Sequence, residues 1–371
     1  MRRTLSVLLL ALAAGLPQPA GSAELQEAVP GSCVSQLKSQ PGLGRGIPTG
    51  QTARSVEVRL CDGTTAVMAT ADGAIVLRTD RGASQVLETV TKLGSTSASR
   101  AEGKGAGESG GEVTCGKAML RDARPSAGKS ANFVYLAWPT QDYGHGILGD
   151  QTEASGFCVA GLQTGRAAKL RLEPGSVFED LRVRLVDLTG DGQEEFVVIR
   201  SYLDRGAALA VYHLVDSRIE HLAETPAIGI PNRWLNPAGA ADFDGDGRVE
   251  IAYVETPHIG GTLKVWELRD GALQQEQAVE GFSNHAIGSR ELGLSAVLDW
   301  NADGVPDLAL PDAGRRTLRV VSFAGGKVAE LDRFTQDAEI TTAILATDLD
   351  ADGVPELLYG LADGRLLLAR P

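Results

Sequence analysis

The sequence predicts an all-β chain, a β-propeller of six or seven four-stranded blades, and three observations predict it. A short acidic motif recurs four times, beginning at Asp187, Asp242, Asp299 and Asp348. Each copy stands between short apolar runs, and no flank carries a 3.6-residue period. The copies repeat at roughly 50 residues, a spacing that marks arrays and propellers.

The clearest copy is residues 242–250, DFDGDGRVE. Asp242, Asp244, Asp246 and Glu250 occupy loop positions 1, 3, 5 and 9, and Gly247 follows the third aspartate, where a tight reversal favours a residue without Cβ strain. Hard cations such as Ca²⁺ take about six to eight oxygen ligands at roughly 2.3–2.6 Å. Carboxylates on alternate residues of a curled loop supply that shell, with the Arg248 carbonyl at position 7 as a further donor. The other copies offer Asp187, Thr189, Asp191, Gln193 and Glu195; Asp299, Asn301, Asp303, Val305 and Asp307; and Asp348, Asp350, Asp352, Val354 and Glu356. A single Asp-Gly pair is an ordinary turn. Four loops at even spacing predict about four structural Ca²⁺ ions. An EF-hand does not fit, because its loop closes with a glutamate at position 12. Here that position holds Val198, Tyr253, Leu310 and Tyr359.

Behind each loop the order is constant. In the second repeat, residues 251–254 form an apolar strand and 255–261 a variable loop. A strand over 263–268, an Asp270-Gly271 turn and a last strand follow. Several short strands per repeat is how a propeller blade is built. The last repeat ends soon after Leu368, so the N-terminal segment is expected to supply its missing strand and leave no open edge.

Upstream, the pattern weakens. Residues 1–23 combine Arg2-Arg3, an apolar stretch and a small-residue cleavage site, which predicts a signal peptide cut after Ala23. The stretch is shorter than the roughly 20 apolar residues of a membrane span. An exported chain is expected, periplasmic or extracellular, with residues 24–371 as one domain. Residues 56–162 read as degenerate repeats without ion ligands, interrupted at 94–112 by a Gly/Ser-rich mobile loop; the good repeats run over 181–371. Cys33, Cys61, Cys115 and Cys158 form an even set in an exported chain and predict two disulfides. Cys33–Cys61 with Cys115–Cys158 is the most local of three connectivities. The formal charge of −13, much of it in the loops, argues against a nucleic-acid partner.

The repeated D-x-[DNT]-x-D-G-x-x-[DE] pattern resembles the FG-GAP/VCBS repeat family, the calcium-loop propellers of integrin α heads and of many exported bacterial proteins. The FG and GAP signatures are eroded, with Gly288 and Gly293 as loose echoes. The resemblance implies ion loops on one face and partners on the other. The opposite face would then present Tyr143, His145, Arg205, Arg233, Trp234, Asn236, His258, Asn284, His285 and Arg290. Such side chains suit a protein or sugar site; the plainer reading makes Trp234 a core cap and the histidines ordinary loop residues.

No nucleophile elbow, His/Glu metal motif or phosphate loop occurs. The expectation is therefore a monomeric, calcium-stabilised scaffold for protein–protein interaction or adhesion at the cell envelope. A carbohydrate-binding propeller is the alternative, and a polysaccharide-cleaving enzyme ranks below it.

Overall fold

The structure, a computed structural model, describes residues 118–129, 131–162, 167–348 and 353–371, and six strands ahead of them. Residues 1–23, where a signal peptide is expected, residues 94–112, expected to form a loop, and Cys33, Cys61, Cys115, Asp350 and Asp352 lie outside the described residues.

The chain is all-β, and its strands pair antiparallel. β1 (Glu24–Glu27) stands apart in sequence from its sheet. The next sheet holds β2 (Val34–Leu37), β3 (Ser55–Leu60), β4 (Thr65–Ala71), β5 (Ala74–Thr79) and β6 (Ser84–Val86), hydrogen-bonded in that order. An eight-stranded sheet follows, with β7 (Ala131–Thr140), β8 (Glu153–Leu162), β9 (Ala168–Arg171), β10 (Ser176–Phe178), β11 (Arg184–Val186), β12 (Glu195–Tyr202), β13 (Gly206–Val215) and β14 (Arg218–Glu224). β10 joins its two halves by pairing with both β8 and β12. The third sheet is β15 (Leu235–Ala241), β16 (Glu250–Glu255), β17 (Thr262–Arg269) and β18 (Ala272–Glu280). The fourth is β19 (Ala296–Leu298), β20 (Asp307–Pro311), β21 (Thr317–Ser322) and β22 (Ala329–Thr335). The last holds β23 (Leu345–Thr347), β24 (Glu356–Gly360) and β25 (Leu366–Arg370), and β1 completes it by pairing with β25, Glu24 opposite Arg370. The strand that the short final repeat lacks thus comes from the other end of the chain.

Burial explains the composition of each strand. β16 (EIAYVE) is buried except at its last residue, so it reads as a continuous apolar run. β18 (ALQQEQAVE) and β22 (AELDRFT) are largely exposed outer strands whose charges discourage edge-to-edge pairing. Asp270 and Gly271, both at positive φ (50° and 77°), close the β17–β18 hairpin in the conformation its twist favours. The pairing of third with fourth strand slips at Val211/Tyr212, Val265/Trp266 and Val320/Val321, so the repeat persists down to its bulges.

The core lies between sheets. Ala252, Val254 and Leu263 of the third pack with Leu308, Leu310 and Val321 of the fourth. Leu318 and Val320 of the fourth pack in turn with Leu357, Tyr359 and Leu367 of the last. The first strands touch directly, β15 against β19 and β19 against β23. Their approach is close: a Cβ on Gly239 would stand 2.4 Å from the Val297 side chain.

Candidate functional site: aspartate loops and a histidine-lined cleft

The acidic loops join the first strand of a sheet to its second. In the loop between β15 and β16, Asp242 accepts the Gly245 N–H through Oδ1 (2.8 Å) and the Gly247 N–H through Oδ2 (2.9 Å). Asp244 and Asp246 each accept the N–H two residues on, both at 3.0 Å. Glu250 accepts the Phe243 N–H at 2.6 Å, is 0% exposed, and leaves Oε1 without a partner. One oxygen from each of these four acids lies within 4.8 Å of the others.

The same wiring recurs. Asp187 accepts from Gly190 (2.8 Å) and Gly192 (3.0 Å), Asp299 from Asp303 (3.1 Å) and Gly304 (2.9 Å), and Asp348 from Gly353 (3.1 Å). Glu195 accepts the Leu188 N–H at 2.7 Å and Asp307 the Trp300 N–H at 2.9 Å. Thr189 reaches Glu195 at 3.4 Å, and Asn301 reaches Asp303 at 2.9 Å. At position 7, the Gln193, Arg248 and Val305 N–H groups bond the preceding aspartate. Position 4 lies in left-handed backbone, with φ 73° at Gly190, 82° at Gly245 and 57° at Ala302.

These loops concentrate negative charge around a buried acid. Burial, then Asp244 and Asp242, pushes Glu250 up to about 8; burial, then Asp303 and Asp299, pushes Asp307 up to about 6. Burial likewise raises Glu195. Oxygens of Glu250, Asp307 and Asp348 are buried without a hydrogen-bond donor. In the second loop the Glu250 oxygen stands close to three further carboxylates, a donor set of the kind that suits a divalent cation. Beyond the second loop, Arg248 pairs with Glu267 at 2.9 Å, and Arg269 pairs with Glu267 and with Glu276 (2.6 Å), tying the loop to the outer strand.

The opposite ends of the first strands carry the other predicted residues. Arg233 and Trp234 lead into β15, His258 sits between β16 and β17, and Asn284, His285 and Arg290 lie between β18 and β19. Tyr143 and His145 come from the β7–β8 connection, which reaches across to these segments. Trp234 is 2% exposed, stacks on His258 at 9° between planes, and donates Nε1–H to the Glu179 carbonyl at 3.0 Å. His285 faces the Ser289 carbonyl through Nε2 (2.9 Å), so that nitrogen carries the proton, and Nδ1 accepts from His258 Nε2 at 2.9 Å. Burial holds both imidazoles neutral, His258 at about 3 and His285 at about 4. His145 bonds the buried Glu179 carboxylate at 2.7 Å, and Ser201 donates to the same group at 2.6 Å. Burial raises the proton affinity of Glu179.

Several predicted face residues turn inward. Tyr143 is buried, and its hydroxyl accepts the Asn232 N–H. Asn236 and Asn284 are 0% exposed and lock neighbouring segments, each donating to the other's carbonyl at 3.0 Å. His285 is buried as well. Arg290 stays on the surface, paired with Asp150 at 2.5 Å and Asp122 at 3.3 Å, and Arg205 lies over the Tyr202 ring at 3.7 Å. His145, Arg233, Trp234 and His258 converge on a cleft of about 170 Å³. Two exposed isoleucines that sequence reasoning missed line it, Ile259 (62%) and Ile287 (71%), and Ile230 (55%) is exposed two residues before the lining Asn232. Their one sequence signal is a large apolar residue among Gly, Pro and Asn in a loop. Cys158 is fully buried on β8, and no cysteine among the described residues is free.

No family model and no curated protein matches the chain. Among solved structures it is similar to the Photorhabdus luminescens Tc holotoxin pore, at 13% identity and TM-score 0.41, covering 94% of this chain but 14% of that one. It is also similar to the WD40 domain of Toxoplasma gondii coronin, at 12% identity and TM-score 0.44 over 94% of this chain and 85% of that one. A third likeness is to the rhamnogalacturonan lyase YesW, at 14% identity and TM-score 0.37 over 64% of this chain and 50% of that one.

Proposed function

We propose that the chain is an exported, calcium-stabilised β-propeller of the FG-GAP/VCBS type whose cleft-bearing face binds a protein partner at the cell envelope. The observation that carries this reading is the pair Ile259 and Ile287, which line the cleft and stay exposed at the end remote from the aspartate loops. Large exposed aliphatic patches are uncommon on monomers and mark interaction surfaces.

The closed ring is supported by contacts from the eight-stranded sheet to the third, from the third to the fourth and from the fourth to the last, by β2 lying against β24, and by the β1–β25 pairing. Counting the eight-stranded sheet as two blades gives six in this reading. Asp242, Asp244, Asp246 and Glu250 would hold Ca²⁺ in the best-formed loop, with equivalent residues in the other three. Bound there, Ca²⁺ neutralises crowded carboxylates and stabilises the loop. A Cys115–Cys158 disulfide would staple β8 within its unit. The carbohydrate-binding alternative relies on Tyr143 and Trp234 as platforms, and burial of both rings favours the protein reading.

The test is a photo-cross-linking amino acid at position 287, irradiated in calcium with envelope extract. The reading expects one discrete cross-linked protein that disappears with Ile230→Asp and Ile259→Asp. Labelling that ignores those changes, or no discrete product, overturns it.

A further inference from the structure

Resting on the protein-partner reading, we propose that the cleft recognises an acidic side chain flanked by aliphatic residues in an extended segment of the partner. Arg233 carries the charge argument. It lines the cleft, makes no ion pair among the described residues, and its guanidinium donates only to the neighbouring Asn232 carbonyl at 3.2 Å. An uncommitted guanidinium is an unusual feature on this face. Arg205 pairs with Asp204 at 3.1 Å, and Arg290 is paired twice. No carboxylate lines the cleft, and Glu179 behind it is engaged by His145 and Ser201. On a chain of formal charge −13, this leaves a local cation with nothing of opposite sign to answer it.

The rest of the lining fixes the neighbours of that acid. Trp234 forms an aromatic wall, stacked on a His258 that burial keeps neutral, so the wall adds no second charge. Ile259 and Ile287 line the cleft while remaining 62% and 71% exposed. A cleft of about 170 Å³ admits one side chain. A free small molecule of that size would leave most of these two exposed side chains uncovered, whereas a polypeptide fills the cleft and lies along them. Guanidinium and carboxylate form charge-assisted hydrogen bonds, and the aliphatic rim excludes water from them.

The probes are sensor surfaces densely loaded with one of three short peptides, so that weak one-to-one binding still gives a readable signal. Their cores are Leu-Glu-Leu, Leu-Gln-Leu and Ser-Glu-Ser, and the analyte is the full protein in calcium. Retention is expected on Leu-Glu-Leu, with about tenfold less on Leu-Gln-Leu, which loses the charge-assisted contact, and about tenfold less on Ser-Glu-Ser, which loses the aliphatic burial. Arg233→Gln should remove the preference for Glu over Gln, and Arg233→Lys should keep part of it, both with unchanged melting temperature. Equal retention on Glu and Gln surfaces, or none on any surface, overturns the inference. A partner still cross-linked through position 287 under that outcome leaves the protein-binding reading standing. Loss of the cross-link as well removes both.

Discussion

The Tyr143 hydroxyl accepts a hydrogen bond from the Asn232 backbone N–H at 3.0 Å, across 89 positions of sequence. This contact fastens the β7–β8 connection to the segment that carries Arg233 and Trp234 into β15. Burial, then the charge of Glu179, pushes the phenol up to about 12, so it stays protonated throughout the physiological range. Tyr143→Phe should therefore cost about 0.5–1.5 kcal/mol, the net worth of one hydrogen bond, with the cleft otherwise intact. Urea unfolding measures it; an unchanged midpoint would show that the connection is held by packing alone.

Calcium should stabilise the protein and a chelator should destabilise it. Each site contributes roughly 2.7 kcal/mol when free Ca²⁺ exceeds its dissociation constant a hundredfold. Asp242→Asn should remove one ion from the stoichiometry seen by native mass spectrometry. A melting temperature indifferent to both calcium and chelator would rule out the ion loops.

Trp234→Ala should cost roughly 3–5 kcal/mol, because it empties a buried indole site and orphans the Glu179 carbonyl. Ile287→Ser, at an exposed position, should shift stability by no more than about 0.5 kcal/mol. Denaturant titration of the two variants separates core from rim. A neutral Trp234→Ala would mean that the indole is a displaceable surface group.

The histidine pair sets an acid limit. His258 and His285 have folded-state pKa values of about 3 and about 4, below the 6.5 of an unhindered imidazole. The unfolded chain binds more protons in that window, so this contribution is present above pH 6.5 and lost as pH falls through about 4 to about 3. Nitrogen-edited NMR should show both rings neutral at pH 5, and protonation there would refute the buried arrangement.

Ala302 occupies left-handed backbone at φ 57° where two other loops have glycine. Ala302→Gly should stabilise the protein by about 1 kcal/mol by removing Cβ strain, and Gly304→Ala, at φ 89°, should destabilise it. Thermal unfolding of the pair checks the sign.

Much of the fold was legible in the chain because the repeat is written in local chemistry. Alternate aspartates, a glycine after the third and an apolar run behind them specify the loop and the strand after it. The Asp270-Gly271 turn was equally plain, since turn type depends on the residues in the turn. The completing strand β1 was predictable from the shortness of the last repeat, although its register with β25 was not.

The opposite face was less legible. Tyr143, Trp234, Asn284 and His285 sit in loops of the composition that usually stays wet, Asn236 is a polar residue near the start of β15, and nothing local marks them as buried. Their burial follows from the β7–β8 connection crossing to segments far along the chain, a long-range fact that no window of sequence contains. For the same reason nothing in the sequence brings Ile259 and Ile287 together, and only tertiary packing sets both on one cleft. The sequence by itself determined the all-β repeat and the acidic loops, because both arise from contacts a few residues apart. Only the tertiary structure decided which polar side chains are buried, which apolar ones are exposed and where the cleft lies, because those depend on how separate sheets pack.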